Sequence, residues 1–270
     1  MTGTDGAADP VRIAVTGGGG RMGTEVIEAA ATRDEVAVAT AVNRTPTDPV
    51  AGVDIAAADR LEDLLAATDP DVLVDFTGPA SAVEYATAAA AADVAVVTGT
   101  TGFDPEETDR LRAASETVPI LKASNFARGV AALRRAVRAA VAAVPGYDVE
   151  LTETHHNGKR DAPSGTAQTI LGDVESVRGD LDRRVHGREG DAPRSPDEVG
   201  VHARRAGDVT GEHEVLLAGN REVLSVTHRA GDRGVFAEGA LDAAAWLAGR
   251  DPGWYAFDDV LGGEREAPNE

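Results

Sequence analysis

The chain has 270 residues, and 46 acidic against 26 basic side chains give it a formal net charge of −20. That surplus of negative charge disfavours general binding to nucleic acids or anionic membranes, because both are themselves polyanions. No cysteine is present, which excludes disulfide bonds and a thiol nucleophile. Residues 1–10 lack the pattern of a secretion signal, and the longest apolar run, 86–92, ends at Asp93. We therefore expect a cytoplasmic protein without a membrane span.

Arginine replaces lysine almost everywhere in the sequence, since the chain contains 24 Arg and only two Lys, Lys122 and Lys159. Ala, Asp and Glu are abundant, and the acidic residues are spread along the whole chain. This composition indicates a surface adapted to a salt-rich cytosol, as in a halophile. A lysine that persists in such a chain is expected to do what arginine cannot, such as releasing a proton or acting as a compact charge.

A glycine-rich loop lies between a strand predicted at 11–16 and a helix predicted at 24–30. Strand, glycine loop and helix follow one another in this order in dinucleotide-binding domains. Glycines spaced three apart permit a tight turn, close approach of a pyrophosphate and packing of the helix on the strand. The alternative is a plain flexible turn. The residues of the loop that we expect to bind a cofactor are Gly17, Gly20, Arg21, Met22 and Gly23.

The second predicted strand, 36–42, is followed by Asn43 and Arg44. A site that prefers NAD usually has an acidic residue there, which binds the ribose hydroxyls. A neutral amide and an arginine would not repel a 2′-phosphate, and the arginine can pair with it. We therefore expect NADPH to be preferred, with NADH or both cofactors left open. The alternative is that Arg44 is an exposed residue of a turn.

Strands and helices continue to alternate from residue 60 to a helix that begins at 104–107, which predicts a parallel sheet covered on both faces. Ligands of such sheets bind beyond the carboxyl ends of the strands. Singly, each polar segment that follows a strand is explained equally well as a tight connection. Together they are expected to line a cofactor groove with Phe76, Thr77, Gly99, Thr100, Thr101, Ser124, Asn125 and Phe126.

The pattern changes after residue 126. A long helix with one apolar face is predicted before a strand at 147–154, and three more strands at 199–205, 214–218 and 222–229 predict a mostly antiparallel sheet. The polar stretch 178–200 is compatible with a lid, an assembly arm or disorder. The last helix, 236–247, is expected to return to the first domain.

These patterns predict an α/β fold with two domains. The first is a Rossmann-like, parallel-sheet, dinucleotide-binding domain over 1–126, to which 235–270 return. The second is an α+β substrate-binding and oligomerisation domain over 127–234 with a mostly antiparallel sheet.

Residues 155–166 combine several groups suited to chemistry in one short segment. His155 and His156 can carry or release a proton near neutral pH, and Lys159 adds a cation or proton donor. Ser164 is the expected N-cap of a helix, and Gly165 lets a ligand approach N–H groups that favour a carboxylate or phosphate. The alternative is a turn with a solvated tip. No metal is expected, because neighbouring residues at a strand end point to opposite faces.

The glycine loop, 99–102, 124–126 and 155–166 together closely resemble the dihydrodipicolinate reductases of lysine and diaminopimelate synthesis. The resemblance extends over almost all of 11–262, and 155–166 is its most specific part. It implies an enzyme that transfers a hydride from NADH or NADPH to a cyclic imine dicarboxylate, which gives tetrahydrodipicolinate. It also implies a homotetramer joined through the sheet of the second domain. Asn43 departs from the acidic residue often found there.

The resemblance assigns roles to individual residues. His155 would be the general acid or base, and Lys159 would donate a proton to the reduced ring. The residues implied to hold the substrate carboxylates are His156, Lys159, Ser164, Gly165, Thr166 and Arg233.

Two other functions are compatible with parts of the sequence. Another dehydrogenase of small amino or dicarboxylic acids would share the glycine loop but not the paired histidines, the lysine and the Ser-Gly-Thr helix start. A non-catalytic sensor would bind the cofactor without turnover and would not need Lys159.

Overall fold

The structure is a computed structural model and describes residues 9–262. Contacts divide these residues into two compact units. Unit 1 contains 9–126 and 233–262, and unit 2 is Ala127–Asp232. Each unit contains its own sheet with helices packed against it. The predicted fold class, a Rossmann-like sheet in one part of the chain and an α+β arrangement in the other, is confirmed.

Unit 1 contains, within residues 9–262, one eight-stranded sheet. Its strands are β1 Val11–Thr16, β2 Val36–Asn43, β3 Thr47–Val50, β4 Val53–Ala57, β5 Val72–Asp75, β6 Ala95–Thr98, β7 Pro119–Lys122 and β13 Gly253–Tyr255. Their order is β13-β7-β6-β5-β1-β2-β4-β3, and all neighbours are parallel except β3 and β4. The central strands β5 and β6 are buried along their whole length, which explains their continuous apolar sequence.

The helices of unit 1 connect and cover these strands. They are α1 Arg21–Ala30, α2 Leu61–Thr68 after a 3₁₀ turn at Ala58–Arg60, α3 Pro79–Ala91, α4 Pro105–Ala114, α7 Gly234–Leu247 and α8 Phe257–Val260. Helix α4 begins with a capping box in which Asp104 and Glu107 each accept from the other's backbone N–H. Helix α7 packs on α1 and the sheet, where Gly239 allows it to approach the carbonyl of Phe126 closely.

Unit 2 is built on a mixed five-stranded sheet in the described part of the chain. Its strands are β8 Asp148–His155, β9 Arg183–His186, β10 Glu198–Arg205, β11 Gly211–Gly219 and β12 Glu222–Ala230. The order is β12-β11-β8-β10-β9. The pairs on the β12 side of β8 are antiparallel, and those on the β9 side are parallel. Helices α5 Arg128–Ala143 and α6 Gly165–Val177 contribute their apolar sides to the core of this unit.

The polar stretch 178–200 is more ordered than its composition indicates. The interpretation of this stretch as disordered is wrong at 183–186, because β9 pairs there with β10. Charged side chains then hold the following loop on the sheet, since Arg194 binds Asp148 at 3.0 Å and also contacts Glu150. Ion pairs, rather than an apolar face, fix this segment, and they are invisible to a search for hydrophobic periodicity.

Across the described residues, no helix combines the length and the apolar character required to cross a membrane.

Candidate active site

The glycine loop of unit 1 has the geometry of an anion cradle. Gly17 has a φ of +70°, which favours glycine, and the N–H of Gly20 donates to its carbonyl at 2.8 Å. A Cβ on Gly23 would lie 2.1 Å from the same carbonyl oxygen, so a side chain there would collide with backbone. Helix α1 begins directly afterwards, with Gly20 as its N-cap. The N–H groups of its first turn have no partners within the helix and suit a pyrophosphate.

Asn43 lies beside this loop, at the end of β2. A Cβ on Gly19 would lie 2.7 Å from Thr47 Oγ1 and 3.0 Å from Asn43 Nδ2. The amide of Asn43 donates to the carbonyl of Thr45 at 2.9 Å, and Arg44 is exposed. The structure thus places Asn43, which occupies the position of the usual acidic residue, next to the glycine loop predicted to bind the pyrophosphate.

A buried aspartate that sequence reasoning missed organises the neighbouring strand ends. Asp75, fully buried at the end of β5, accepts hydrogen bonds from Thr16 at 2.8 Å and Thr77 at 2.6 Å. It also accepts from Thr98 at 2.9 Å and Thr100 at 2.7 Å. The ends of β1, β5 and β6 are therefore tied to one carboxylate. Thr77 and Thr100 are among the residues predicted to bind the cofactor. A charged residue within an apolar strand is the sequence feature that could have revealed Asp75.

The aromatic residues of the predicted groove have a packing role. A Cβ on Gly99 would lie 2.0 Å from the ring of Phe76, so these two predicted residues are in close contact. Phe126 is 1% exposed, and its ring centroid is 5.7 Å from that of Phe76 and 5.3 Å from that of Phe257. The Phe126 ring is therefore core, and only its backbone is suited to ligand contact. Beyond β6 and β7, exposed and partly buried polar residues follow: Thr101, Ser124 and Asn125.

In unit 2, strand β8 ends at His155, one residue beyond the predicted end at Thr154. His155 and Glu153 share one face of the strand, and Nδ1 of His155 is 2.6 Å from Oε2 of Glu153. Burial lowers the pKa of His155, the bond to Glu153 opposes this, and the nearby charges of Lys159 and Arg205 lower the pKa further. The 2.6 Å contact places Nδ1 of His155 where it can donate a proton to the carboxylate of Glu153.

Glu153 is fully buried and was not among the predicted site residues. Arg205 donates to both of its oxygens, at 2.8 and 2.7 Å, and the backbone N–H of Ser164 donates at 3.1 Å. Burial acts to raise the pKa of Glu153, but the hydrogen bonds from Arg205 and His155 outweigh it, so the pKa is lowered. Glu153 is therefore a carboxylate that joins the catalytic histidine candidate to the start of α6.

Ser164 is the N-cap of α6, which confirms the predicted helix start. Its Oγ accepts from the N–H of Ala167 at 3.2 Å and lies 3.1 Å from Nε2 of His213. His213 is buried, and burial lowers its pKa to about 4, assisted by the charge of His155. Gly165 follows the cap, and apart from its chain neighbours and the backbone of its own helix, no atom of the described residues lies within 4 Å of the position its Cβ would take. This space allows a ligand to approach the helix start.

Lys159 forms an ion pair close to the same helix start. Its Nζ is 2.8 Å from Oδ1 of Asp161. Burial acts to raise the pKa of Asp161, but the bond to Lys159 and backbone hydrogen bonds, including one from Gly165, lower it overall. The Asp161 carboxylate thus binds a cation and a helix-start N–H, which are the groups predicted to bind a substrate carboxylate.

The structure separates the predicted substrate residues between the two units. His155, Lys159, Ser164, Gly165 and Thr166 belong to one short segment of unit 2, and the backbone of His156 accepts from the N–H of Lys159 at 3.1 Å. Arg233 instead precedes helix α7 as its N-cap in unit 1. No group of three or more His, Asp or Glu suited to hold a metal ion is found in the portion of the chain that the structure describes.

Comparison with known families shows the family to which the chain belongs. The family model described as dihydrodipicolinate reductase, N-terminus, matches 11–126, and the one described as dihydrodipicolinate reductase, C-terminus, matches 129–261. The chain belongs to the dihydrodipicolinate reductase family. Among its relatives, a 4-hydroxy-tetrahydrodipicolinate reductase of Natronomonas pharaonis is 53% identical over 251 residues, which is 93% of this chain and 100% of the relative. One of Haloarcula marismortui is 54% identical, covering 93% and 98%.

Solved structures agree at the level of the fold. A dipicolinate-bound dihydrodipicolinate reductase from Paenisporosarcina sp. TG-14 superposes with a TM-score of 0.75 at 24% identity, covering 92% of this chain and 97% of that chain. An amine dehydrogenase from Mycobacterium smegmatis gives 0.61 at 14% identity, covering 92% and 95%.

Family membership confirms the predicted enzyme class, a reductase of lysine and diaminopimelate synthesis that uses a pyridine nucleotide. The close relatives from halophilic archaea agree with the source that composition indicates.

Proposed function

We propose that this protein reduces a dihydrodipicolinate-type cyclic imine dicarboxylate, derived from 4-hydroxy-tetrahydrodipicolinate, to tetrahydrodipicolinate. The observation that carries the proposal is the arrangement in unit 2. A histidine held by a buried carboxylate, an ammonium group and an open helix start lie within 153–166. A dicarboxylate that gains negative charge during reduction requires a cation, a proton donor and carboxylate-binding N–H groups.

The glycine loop and strand ends of unit 1 would hold the nucleotide, which supplies the hydride when bound. The start of α1 suits the pyrophosphate, and Asn43 and Arg44 lie at the end of β2, where the ribose is read in this fold. We propose that the cofactor is NADPH in preference to NADH, because Arg44 offers a cation to a 2′-phosphate. The other cofactor contacts proposed are Gly17, Gly20, Arg21, Met22, Gly23, Phe76, Thr77, Gly99, Thr100, Thr101, Ser124, Asn125 and Phe126.

Unit 2 would hold the substrate. The ammonium of Lys159 stabilises the negative charge that hydride addition creates and donates a proton to the reduced ring. His155 acts as general acid or base from Nε2, since its Nδ1 is engaged by Glu153. The residues of unit 2 proposed to hold the carboxylates are His156, Lys159, Ser164, Gly165 and Thr166. Arg233, which belongs to unit 1, is also proposed to bind a carboxylate.

Assembly and location complete the proposal. We propose a cytoplasmic homotetramer joined through the sheet of unit 2. Strand β12 at its edge carries Val223 and Leu224, which are 62% and 42% exposed in the single chain. Exposed apolar side chains of this size on a sheet favour contact with another subunit.

The test is oxidation of NADPH, followed by its loss of near-ultraviolet absorbance, in high salt with substrate generated in place by a dihydrodipicolinate synthase. Lys159→Ala is expected to lower kcat by about 10²- to 10³-fold while cofactor binding persists. Arg160→Ala, an exposed neighbour, is the matched control and should retain normal turnover.

The outcomes discriminate the proposal from its alternatives. Absence of synthase-dependent oxidation by a folded, cofactor-binding protein would contradict it and favour a different small-acid dehydrogenase or a sensor. Repeating the assay with NADH and with Arg44→Asp tests the cofactor. An unchanged ratio of the two rates in the variant would show that the 2′-phosphate is recognised elsewhere.

A further inference from the structure

Glu153 is the one carboxylate among the described residues that bonds both to His155 and to the start of α6. Its Oε2 contacts Nδ1 of His155 at 2.6 Å, and its Oε1 accepts from the N–H of Ser164 at 3.1 Å. Arg205 closes the arrangement with a bond to each oxygen. The strands supply this geometry, because Glu153 and Arg205 lie on the adjacent, parallel strands β8 and β10. A fully buried carboxylate with four donors has essentially one orientation.

This contact determines which nitrogen of His155 is available for chemistry. A carboxylate only accepts hydrogen bonds, so Nδ1 must carry the proton and Nε2 must present its lone pair in the neutral ring. Nε2 faces Gly211, where an added Cβ would be 3.1 Å away, so the absence of a side chain leaves that edge of the ring open. The other groups near the ring are Lys159, Arg205 and the neutral His213, whose ring centroid is 5.2 Å away.

We propose that Glu153, held by Arg205, is a positioning residue that fixes the Nδ1–H tautomer of His155 and presents Nε2 to the substrate. This inference rests on the proposed function for the chemistry that His155 performs. It adds that the same carboxylate anchors the backbone of Ser164, so the proton-transfer group and the carboxylate-binding helix start are held in one fixed relation. Glu153 itself does not touch the reacting atoms.

Replacing Glu153 by glutamine removes the negative charge and changes the hydrogen bonding to His155, while the shape of the side chain is kept. If the amide nitrogen of the introduced glutamine took the place of Oε1, it would face two donors, the N–H of Ser164 and a guanidinium nitrogen of Arg205. Placed at Oε2, it would face Arg205 and Nδ1 of His155, and a change of tautomer at His155 removes that second conflict. Glu153→Gln is therefore expected to place the His155 proton on Nε2.

The experiment reads the tautomer of His155 by ¹⁵N NMR of histidine-labelled protein at rest, and kcat and KM against pH in the reductase assay. Glu153→Gln should convert His155 to the Nε2–H form and lower kcat by roughly 10²- to 10³-fold, with little change in KM for NADPH. The variant also removes the negative charge that favours the protonated ring, so a pH limb due to His155 should move to lower pH. Glu153→Asp should restore part of the kcat.

Glu150→Gln is the matched control. Glu150 lies on the same strand, and its Oε2 is 2.7 Å from Nε2 of His202 while Arg194 contacts its Oε1, but it points to the opposite face. This variant should keep the tautomer of His155 and its pH profile. Equal losses of kcat in Glu150→Gln and Glu153→Gln would overturn the inference, because the effect would then be general to the strand.

A retained Nδ1–H tautomer in Glu153→Gln would also overturn it. If that variant does not fold, the pair Glu153→Leu with Arg205→Met removes the buried carboxylate together with its guanidinium partner, and the tautomer of His155 is read from the same NMR spectrum. The NMR measurement needs no turnover, so a wild-type protein without reductase activity would contradict the proposed function while the tautomer still tests the role of Glu153.

Discussion

Single side chains in unit 2 act on one another through short, charged contacts. Asp161 is the clearest case, because its carboxylate binds Lys159 at 2.8 Å and accepts a backbone hydrogen bond from Gly165. A substrate carboxylate proposed to bind the same ammonium and the same helix start must compete with it. In the absence of substrate, the carboxylate of Asp161 therefore lies where a carboxylate of the substrate is expected to bind.

Asp161→Asn should lower KM for the dicarboxylate substrate by about two- to fivefold, the range expected for an exposed ion pair. The neutral amide competes less for Lys159 than a carboxylate does. Steady-state kinetics at saturating NADPH measure the effect. Asp63→Asn removes the same charge from an exposed position of α2 and should leave KM unchanged. A higher KM in Asp161→Asn would instead show that Asp161 orients Lys159 for the substrate.

At the scale of elements, function depends on where strands end. Strands β1, β5 and β6 lie side by side, and their last residues, together with those that follow, supply the hydroxyls bound to Asp75. In unit 2, the end of β8 and the start of α6 are joined through Glu153 in the same way. In both units a buried carboxylate holds several chain segments in register at the proposed ligand-binding edge.

Asp75→Ala should reduce the free energy of unfolding by about 3 kcal/mol, because buried threonine hydroxyls lose their acceptor. Urea denaturation at constant high salt measures this. Asp71→Ala is the control at the other end of β5, where an exposed carboxylate accepts one bond from the backbone of Arg12 at 2.7 Å. Its loss should cost less than about 1 kcal/mol. Equal destabilisation by both variants would refute the special role of Asp75.

At the scale of the whole molecule, the charge of −20 and the buried histidines determine how stability depends on solution conditions. An acidic surface repels itself in dilute buffer, and salt screens that repulsion. The relatives from Natronomonas and Haloarcula, organisms of saline habitats, agree with this interpretation. Acid acts differently, because it protonates groups that the folded chain keeps neutral or ionised by burial and hydrogen bonding.

Stability should fall as pH decreases from about 6.5 towards 4. Burial lowers the pKa of His213 from 6.5 to about 4. Between these two pH values, the histidine is protonated in the unfolded chain but stays neutral in the folded chain. This linkage amounts to about 3 kcal/mol over the full range. The lowered pKa of His155 and that of His228 act in the same direction.

His213→Gln should make the free energy of unfolding depend less on pH, by about 2 kcal/mol between pH 7 and pH 5. Denaturation at several pH values in constant salt measures it. His186→Gln, at an exposed position of β9, should keep the wild-type dependence. Identical slopes for His213→Gln and the wild type would contradict the assignment.

The sequence by itself determined the features that depend on short stretches of consecutive residues. Gly17 to Gly23 predicted the turn before α1, alternating strands and helices predicted the parallel sheet, and His155 to Thr166 carried the family and the start of α6 at Ser164. These patterns are local, because a turn, a cap or an amphipathic period depends only on near neighbours.

Only the tertiary structure decided which distant residues complete the site. Glu153 meets Arg205 and the region of His213 because β10 and β11 lie on either side of β8, and Asp75 meets threonines of two other strands. The charged strand β9 and the short strand β13 likewise exist through pairing with β10 and β7. Strand order and register are set by packing of the whole unit, so a polar residue within a strand reveals its partner only once the sheet has formed.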